Sequence, residues 1–161
     1  MNVVVSFALI GIALFAAAYA TKRRFGLLGL ALGAGATLSQ LWSYDAGLVV
    51  GSLGIFPSGP MTTAITLSIV VLLPAIVLLF HGYTYKNFIS RALGAFMFTL
   101  LALAFLVEPL GYALTLEGFG VEAYQWLDQY KAVIISVGII FAVVDLFLTI
   151  PVRSLERRIK R

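Results

Sequence analysis

Five apolar runs, separated by short polar and aromatic clusters, account for most of the chain. They cover residues 3–20, 25–41, 61–80, 89–107 and 132–150. A helix rises about 1.5 Å per residue and the hydrocarbon core of a bilayer is about 30 Å thick. Each run therefore has roughly the length of a membrane-crossing helix. The pattern predicts an all-α, polytopic membrane helix bundle with five transmembrane helices.

The punctuation between the runs orders them. Lys22-Arg23-Arg24 leaves room only for a tight turn, so the second helix is expected to return antiparallel beside the first. The second run is rich in small residues, with Gly29 and Gly33, and Ala31 and Gly35, each spaced four apart. That spacing lets helix backbones approach closely, and this helix is expected to be the most enclosed. Gly26, Gly94, Gly138 and Ala142 are further expected packing positions. Trp42 and Tyr44 mark an interface, where amphipathic rings prefer to lie. Residues 45–60 form an interfacial segment: the apolar stretch 48–56 is too short to span and is interrupted by Gly51 and Gly54. It reads as re-entrant or interfacial, and Pro57-Ser58-Gly59-Pro60 as a turn. Pro74, inside the third run, predicts a kink. The fourth run opens at Ser90-Arg91 and is expected to stop near Glu108-Pro109. Residues 121–130 predict a short amphipathic helix, with Glu122, Gln125, Asp128 and Gln129 on one side and Tyr124, Trp126, Leu127 and Tyr130 on the other. Such a helix is expected to lie flat on the membrane surface, separate from the fifth span.

Composition supports a lipid environment. Hydrophobic residues make up 61% of the chain and charged residues 11%, against roughly 45–50% and about 25% in soluble domains. There is no cysteine, which excludes disulfides, thiolate metal sites and cysteine nucleophiles. No polar stretch is long enough for a soluble domain, and the first apolar run lacks the leading cations of a secretory signal. The net charge of +4 lies in clusters beside the apolar runs, as membrane topology and not nucleic-acid binding requires. With Lys22, Arg23 and Arg24 in the cytoplasm, five spans place the N-terminus outside and the C-terminus inside. Ten of the eleven cations then face the cytoplasm, and only Lys131 falls outside. Arg153, Arg157, Arg158, Lys160 and Arg161 read as anchors to anionic lipid headgroups. The expected location is a cytoplasmic (inner) membrane, crossed several times.

Candidate chemistry is sparse. Asp145 lies inside the fifth run, on a small and polar stripe with Gly138, Ala142 and Thr149. A carboxylate at membrane depth costs about 2.5–3.5 kcal/mol on insertion scales. Two roles are open: a structural acceptor for a hydroxyl or for an arginine such as Arg153, or an ion or proton site. Glu108, at the outer end of the fourth run, is a boundary residue and the second ion candidate. Gln40 is expected to bond between helices. His81 stands without a second histidine or a carboxylate pair, so no metal site is expected. No phosphate-binding glycine loop, HExxH or nucleophile elbow occurs. No catalytic residue and no cofactor are expected.

Two motifs carry a family likeness. The first span is followed at once by Lys22-Arg23-Arg24-Phe25-Gly26, and the fourth opens with Arg91-Ala92-Leu93-Gly94-Ala95. Together with the irregular segment before the third span, they resemble the colicin V production protein family over about residues 1–110. Ser90 and Phe98 depart from the family pattern, Asn2 stands nearest its early aspartate, and the fifth helix is an addition. The resemblance implies a non-enzymatic bacterial inner-membrane protein, accessory to toxin production or export and to envelope homeostasis. No catalytic residues come with it. With membrane lipids around it, the chain is expected to act as a homo-oligomer or in a larger membrane assembly. The alternative is a small channel or an ion- or proton-coupled transporter using Asp145, with Pro74 and segment 48–56 as its irregular backbone.

Overall fold

The computed structural model describes residues 3–43, 45–52, 59–80, 84–85, 87–111 and 120–148. Among them there are six helices: α1 (Val3–Thr21), α2 (Phe25–Leu41), α3 (Ala46–Ser52), α4 (Pro60–Leu79), α5 (Phe88–Gly111) and α6 (Gly120–Phe147). The only pairing outside helices among these residues is an isolated antiparallel bridge between Arg23 and Thr84. Three helices are long and apolar enough to cross a membrane: α4, α5 and residues 124–147 of α6. The apolar helices α1 and α2 are 19 and 17 residues long.

The long helices alternate in direction, so the bundle has two ends. The α1–α2 turn, the end of α4, the start of α5 and the end of α6 meet at one of them. Lys22, Arg23, Arg24 and Arg91 gather there. Glu108, Asp128 and Lys131 meet at the other end, where α3 packs on α4.

α2 is the central helix. It packs against α4, α5 and α6, and it buries Phe25, Leu28, Ala31 and Leu32. Val71 and Ala75 of α4, Phe98, Leu101 and Ala102 of α5, and Ala142 of α6 complete the core around it. The expected pairing of α1 with α2 does not occur. α1 packs mainly on α5, with its Gly11 facing Leu103 and Thr99. The turn explains this. Lys22 is left-handed at φ 57°, and Arg24 is extended at φ −72°, ψ 135°. Together they swing α2 away from α1. The chain at Thr84 and Tyr85 enters beside the turn, where the Tyr85 N–H donates to the Lys22 carbonyl at 2.8 Å.

Small residues set the closest approaches. At Gly35, an added Cβ would clash with the Val71 carbonyl oxygen and lie 3.1 Å from that of Val70. Pro74 has no N–H for the Val70 carbonyl four residues earlier, so α2 presses against α4 where its ladder is interrupted. α4 nevertheless runs as one helix through Pro74. At Gly29 an added Cβ would meet the Ala142 methyl at 2.8 Å, and at Gly138 it would meet Leu101 at 2.8 Å. Gly33 makes no such contact; its nearest neighbour is Ile139 Cδ1 at 4.0 Å. The tight contacts of α2 are thus made by Gly26 and Gly29 against α6 and by Gly35 against α4, and the expected Gly29/Gly33 pair does not form one.

α6 differs most from expectation. The surface helix foreseen at 121–130 and the fifth span form one continuous helix of 28 residues. No proline or glycine interrupts the stretch between Gly120 and Gly138. Lys131, between the two expected segments, is neutralised where it stands by Glu108 at 3.1 Å and Asp128 at 2.9 Å. Trp126 and Tyr130, one turn apart, pack ring to ring at 5.0 Å. α5 likewise continues through Pro109 to Gly111. Segment 48–56 is helical up to Ser52 within α3; its remainder lies outside the described residues. The hydroxyls of Thr37, Thr66, Ser68, Thr99 and Ser136 each donate to the carbonyl four residues earlier, which lets them sit in apolar helices without another partner.

Gly35→Leu is expected to destabilise the bundle by about 1–3 kcal/mol or more through overpacking, whereas Gly33→Leu should unfold near the wild type. Thermal unfolding in mild detergent, followed by helical circular dichroism, compares the two. Lys22→Gly should stabilise by about 1 kcal/mol, because glycine takes the left-handed conformation without the penalty borne by a side chain.

Candidate functional site

At the cation-rich end, three helix termini converge, and each is closed by a side chain from elsewhere in the chain. α2 begins after Arg24, which offers no side-chain cap of its own. Asp145 supplies one from α6: its Oδ2 accepts the Gly26 N–H at 2.8 Å. The Tyr85 hydroxyl accepts the neighbouring Phe25 N–H at 3.2 Å and donates to the same Asp145 oxygen at 3.2 Å. Two of the N–H groups that every helix start leaves unpaired are thereby satisfied. The Arg23 guanidinium closes the end of α4, donating from Nε to the Leu79 carbonyl at 2.9 Å and from Nη2 to that of Phe80 at 2.7 Å. Arg91 closes the end of α1, donating to the Tyr19 carbonyl at 2.6 Å with its guanidinium 3.7 Å over the Tyr19 ring.

Electrostatics favour these placements. A carboxylate is stabilised at a helix N-terminus and a guanidinium at a C-terminus. Asp145 lies in the last turn of α6, where its own helix repels it, and the start of α2 offsets that repulsion. The Arg24 guanidinium lies 5.4 Å from the Tyr85 ring centre. Burial, chiefly, holds the Tyr85 phenol above the ordinary tyrosine value of 10.0; the Phe25 N–H pulls it down and the Asp145 charge adds to the rise. Tyr85 is therefore a protonated donor at neutral pH.

Glycines make room for this cluster. At Gly26 an added Cβ would sit 2.6 Å from the Ala142 carbonyl oxygen and 3.0 Å from Asp145 Oδ2. At Gly94 it would sit 2.6 Å from the Tyr85 ring. The stripe of Gly138, Ala142 and Asp145 thus lies against α5 and α2. The two motifs around Gly26 and Gly94 meet through Tyr85. Arg153, which the sequence offered as a partner for Asp145, lies outside the described residues, as do Thr149, His81, Arg157, Arg158, Lys160 and Arg161.

Glu108 sits at the opposite end. It is an exposed partner of Lys131, beside a cavity of about 480 Å³ between α2, α4, α5 and α6. Gln40 lines the same cavity and makes no side-chain bond between helices among the described residues. Asp145 and Glu108 are thus held at different ends. Among the described residues no three His, Asp or Glu side chains gather as a metal site.

Sequence reasoning missed Tyr85 as the link between α2, α5 and α6, and Tyr19 as the seat of Arg91. An aromatic in an interfacial cluster carries no mark of its partner. The left-handed Lys22, which brings residues 84–85 to the turn, is not visible in residue type.

No family model, curated protein or solved structure matches this chain.

Asp145→Asn keeps an acceptor for Gly26 and should cost about 1 kcal/mol, the difference between a charged and a neutral hydrogen bond. Asp145→Leu removes it and should cost about 2–3 kcal/mol. A double-mutant cycle of Asp145→Leu with Tyr85→Phe should return a coupling of about 1 kcal/mol by unfolding in detergent. The fold raises the Tyr85 pKa, so this group's stabilisation is present in full below pH 10 and is lost as pH rises through the folded value. Tyrosinate absorbance should show a component titrating above the ordinary tyrosine value that is diminished in Tyr85→Phe.

Proposed function

We propose that the protein is a five-pass bacterial inner-membrane protein, N-terminus out and C-terminus in, that acts without enzymatic chemistry inside a larger membrane assembly. The process we assign to it is export, including toxin export, with envelope homeostasis. The observation that carries this reading is the use made of Asp145. Its carboxylate is engaged as the cap of α2 and as the acceptor for Tyr85, which is the work of a structural anchor. The cavity at the other end is not lined by Asp145, which weighs against a proton or ion path through that residue.

Two further features support the reading. The motifs that resemble the colicin V production protein family meet at one end of the bundle, through Tyr85 and its neighbours. α6 is covered by its own chain along the Gly138–Ala142 stripe, while Ile140 and Phe141 are 62% and 52% exposed. A helix so placed presents most of its apolar surface to lipid or to another protein.

Photocrosslinking in native membranes from Ile140 and Phe141 of α6, and from Ile12 of α1, tests the assembly. A protein adduct from at least one position, either a second copy or another membrane protein, is the expected result. Lipid adducts only, together with proton flux in reconstituted vesicles that Asp145→Asn abolishes, would replace this reading with the transporter. A reporter fused to the C-terminus should be active only in the cytoplasm.

A further inference from the structure

The cavity at the end opposite Asp145 is built from polar groups over an apolar floor. Ser39, Gln40 and Ser43 come from the end of α2, Glu108 from α5, and Asp128 and Lys131 from α6, with Leu67 of α4 beneath them. Its volume of about 480 Å³ falls in the range of about 300–1,000 Å³ typical of small-molecule sites.

Its hydrogen-bonding inventory is unbalanced. Lys131 Nζ is held between Glu108 Oε1 at 3.1 Å and Asp128 Oδ1 at 2.9 Å. Two carboxylates against one ammonium leave a formal charge of −1. The Glu108 and Asp128 side chains are 62% and 48% exposed, and the second oxygen of each takes no protein donor among the described residues, so it is left to solvent or to an occupant of the cavity. Ser39 is the telling residue. It is only 6% exposed, it lines the cavity, and its hydroxyl makes no hydrogen bond among the described residues. Its helical counterparts Thr37, Ser68 and Thr99 all bond back to their own helices. No side-chain oxygen among the described residues is both fully buried and unpaired, so the unbonded Ser39 hydroxyl is open to the cavity and available to an occupant. The Gln40 amide is likewise unengaged among the described residues.

We propose that this cavity binds a primary ammonium group. Spare acceptors and a residual negative charge call for a ligand with one positive charge and several N–H donors. An –NH₃⁺ has three donors and no acceptor, so it can bridge the free oxygens of Glu108 and Asp128 and reach the Ser39 hydroxyl. A quaternary ammonium has no N–H to give to these acceptors. Beside the cavity, Trp126 is 59% exposed and Tyr130 41% exposed on α6. Such rings favour the headgroup layer, so the ammonium has two possible sources: an ethanolamine lipid headgroup or a soluble amine.

The full chain, purified in mild detergent and stripped of lipid, is titrated with short-chain phosphatidylethanolamine, short-chain phosphatidylcholine, free ethanolamine and choline. The midpoint of thermal unfolding is the readout, with native mass spectrometry for stoichiometry. The ethanolamine lipid should raise the midpoint saturably with one molecule bound, and the choline compounds should not. If free ethanolamine acts as well, the source is a soluble amine; if only the lipid acts, it is the headgroup. Ser39→Ala and Glu108→Gln should each weaken binding about tenfold or more, the size of a lost hydrogen bond to a charged group. Gln40→Ala, at an exposed position, gives a second variant should either of those fail to fold. Equal responses to ethanolamine and choline compounds, no response to either, or folded variants that bind like the wild type would overturn the proposal.

Discussion

A helix end has unpaired N–H or C=O groups, and near lipid there is little water to take them. That constraint organises the cation-rich end of this molecule. α2 starts without a cap of its own, and α4 and α1 have no basic residue in their last turns. Each is completed from a distance: α2 by Asp145 and Tyr85, α4 by Arg23, α1 by Arg91. Because the caps are exchanged between segments, no helix end is satisfied until its neighbours are in place. Local hydrogen-bond satisfaction and tertiary assembly are therefore the same event at this end of the bundle. The charge that would be costly at membrane depth is placed where a helix dipole welcomes it.

Exchange of caps needs helices that lie very close, and the glycines supply that. Gly26 lets the start of α2 reach α6 so that Asp145 can meet its N–H. Gly94 gives the Tyr85 ring a seat on α5 from which its hydroxyl reaches both Phe25 and Asp145. Further along, Gly35 lets α2 lie on the carbonyls of α4 beside Pro74. Contact between small residues cannot draw on the hydrophobic effect within lipid and relies on dispersion, which rewards fit. The glycines at these contacts and the exchanged caps thus reinforce each other along α2, from Gly26 to Gly35.

Much of this was legible in the residues. Hydropathy located the long helices because lipid requires continuous apolar runs, and small-residue spacing singled out α2 as the enclosed one. Asp145 stood out because ionisable groups are rare at that depth. What escaped was set by geometry that residue type does not encode. The left-handed Lys22 sends α2 to α4 and leaves α1 to α5, against the simple expectation that a short turn makes neighbours. Gly33 fits the spacing rule as well as Gly29 does, yet meets only the tip of Ile139 at 4.0 Å, because a four-residue period fixes a shared face and not how closely a neighbour covers it. Lys131, at the junction of the expected surface helix and span, is held by carboxylates from α5 and from one turn earlier, and only the first of these is beyond local reading.

Lys131 also shows why the two ends of the bundle differ in character. At the cation-rich end, charged groups are spent on helix termini, and the cluster is closed by direct contacts. At the other end, one lysine is shared by two carboxylates, and the pairing leaves acceptor oxygens over. The same helix, α6, takes part in both arrangements. Near its end Asp145 accepts from the Gly26 N–H of α2 and from the Tyr85 hydroxyl; near its beginning Glu108 and Asp128 hold Lys131 beside an open cavity. The distance between α2 and α6 is fixed at the first end by Gly26 and Gly29 against Ala142. With that end clamped, the helices stand apart at the other end around the cavity, and Ser39, unengaged among the described residues and open to it, marks where that space begins.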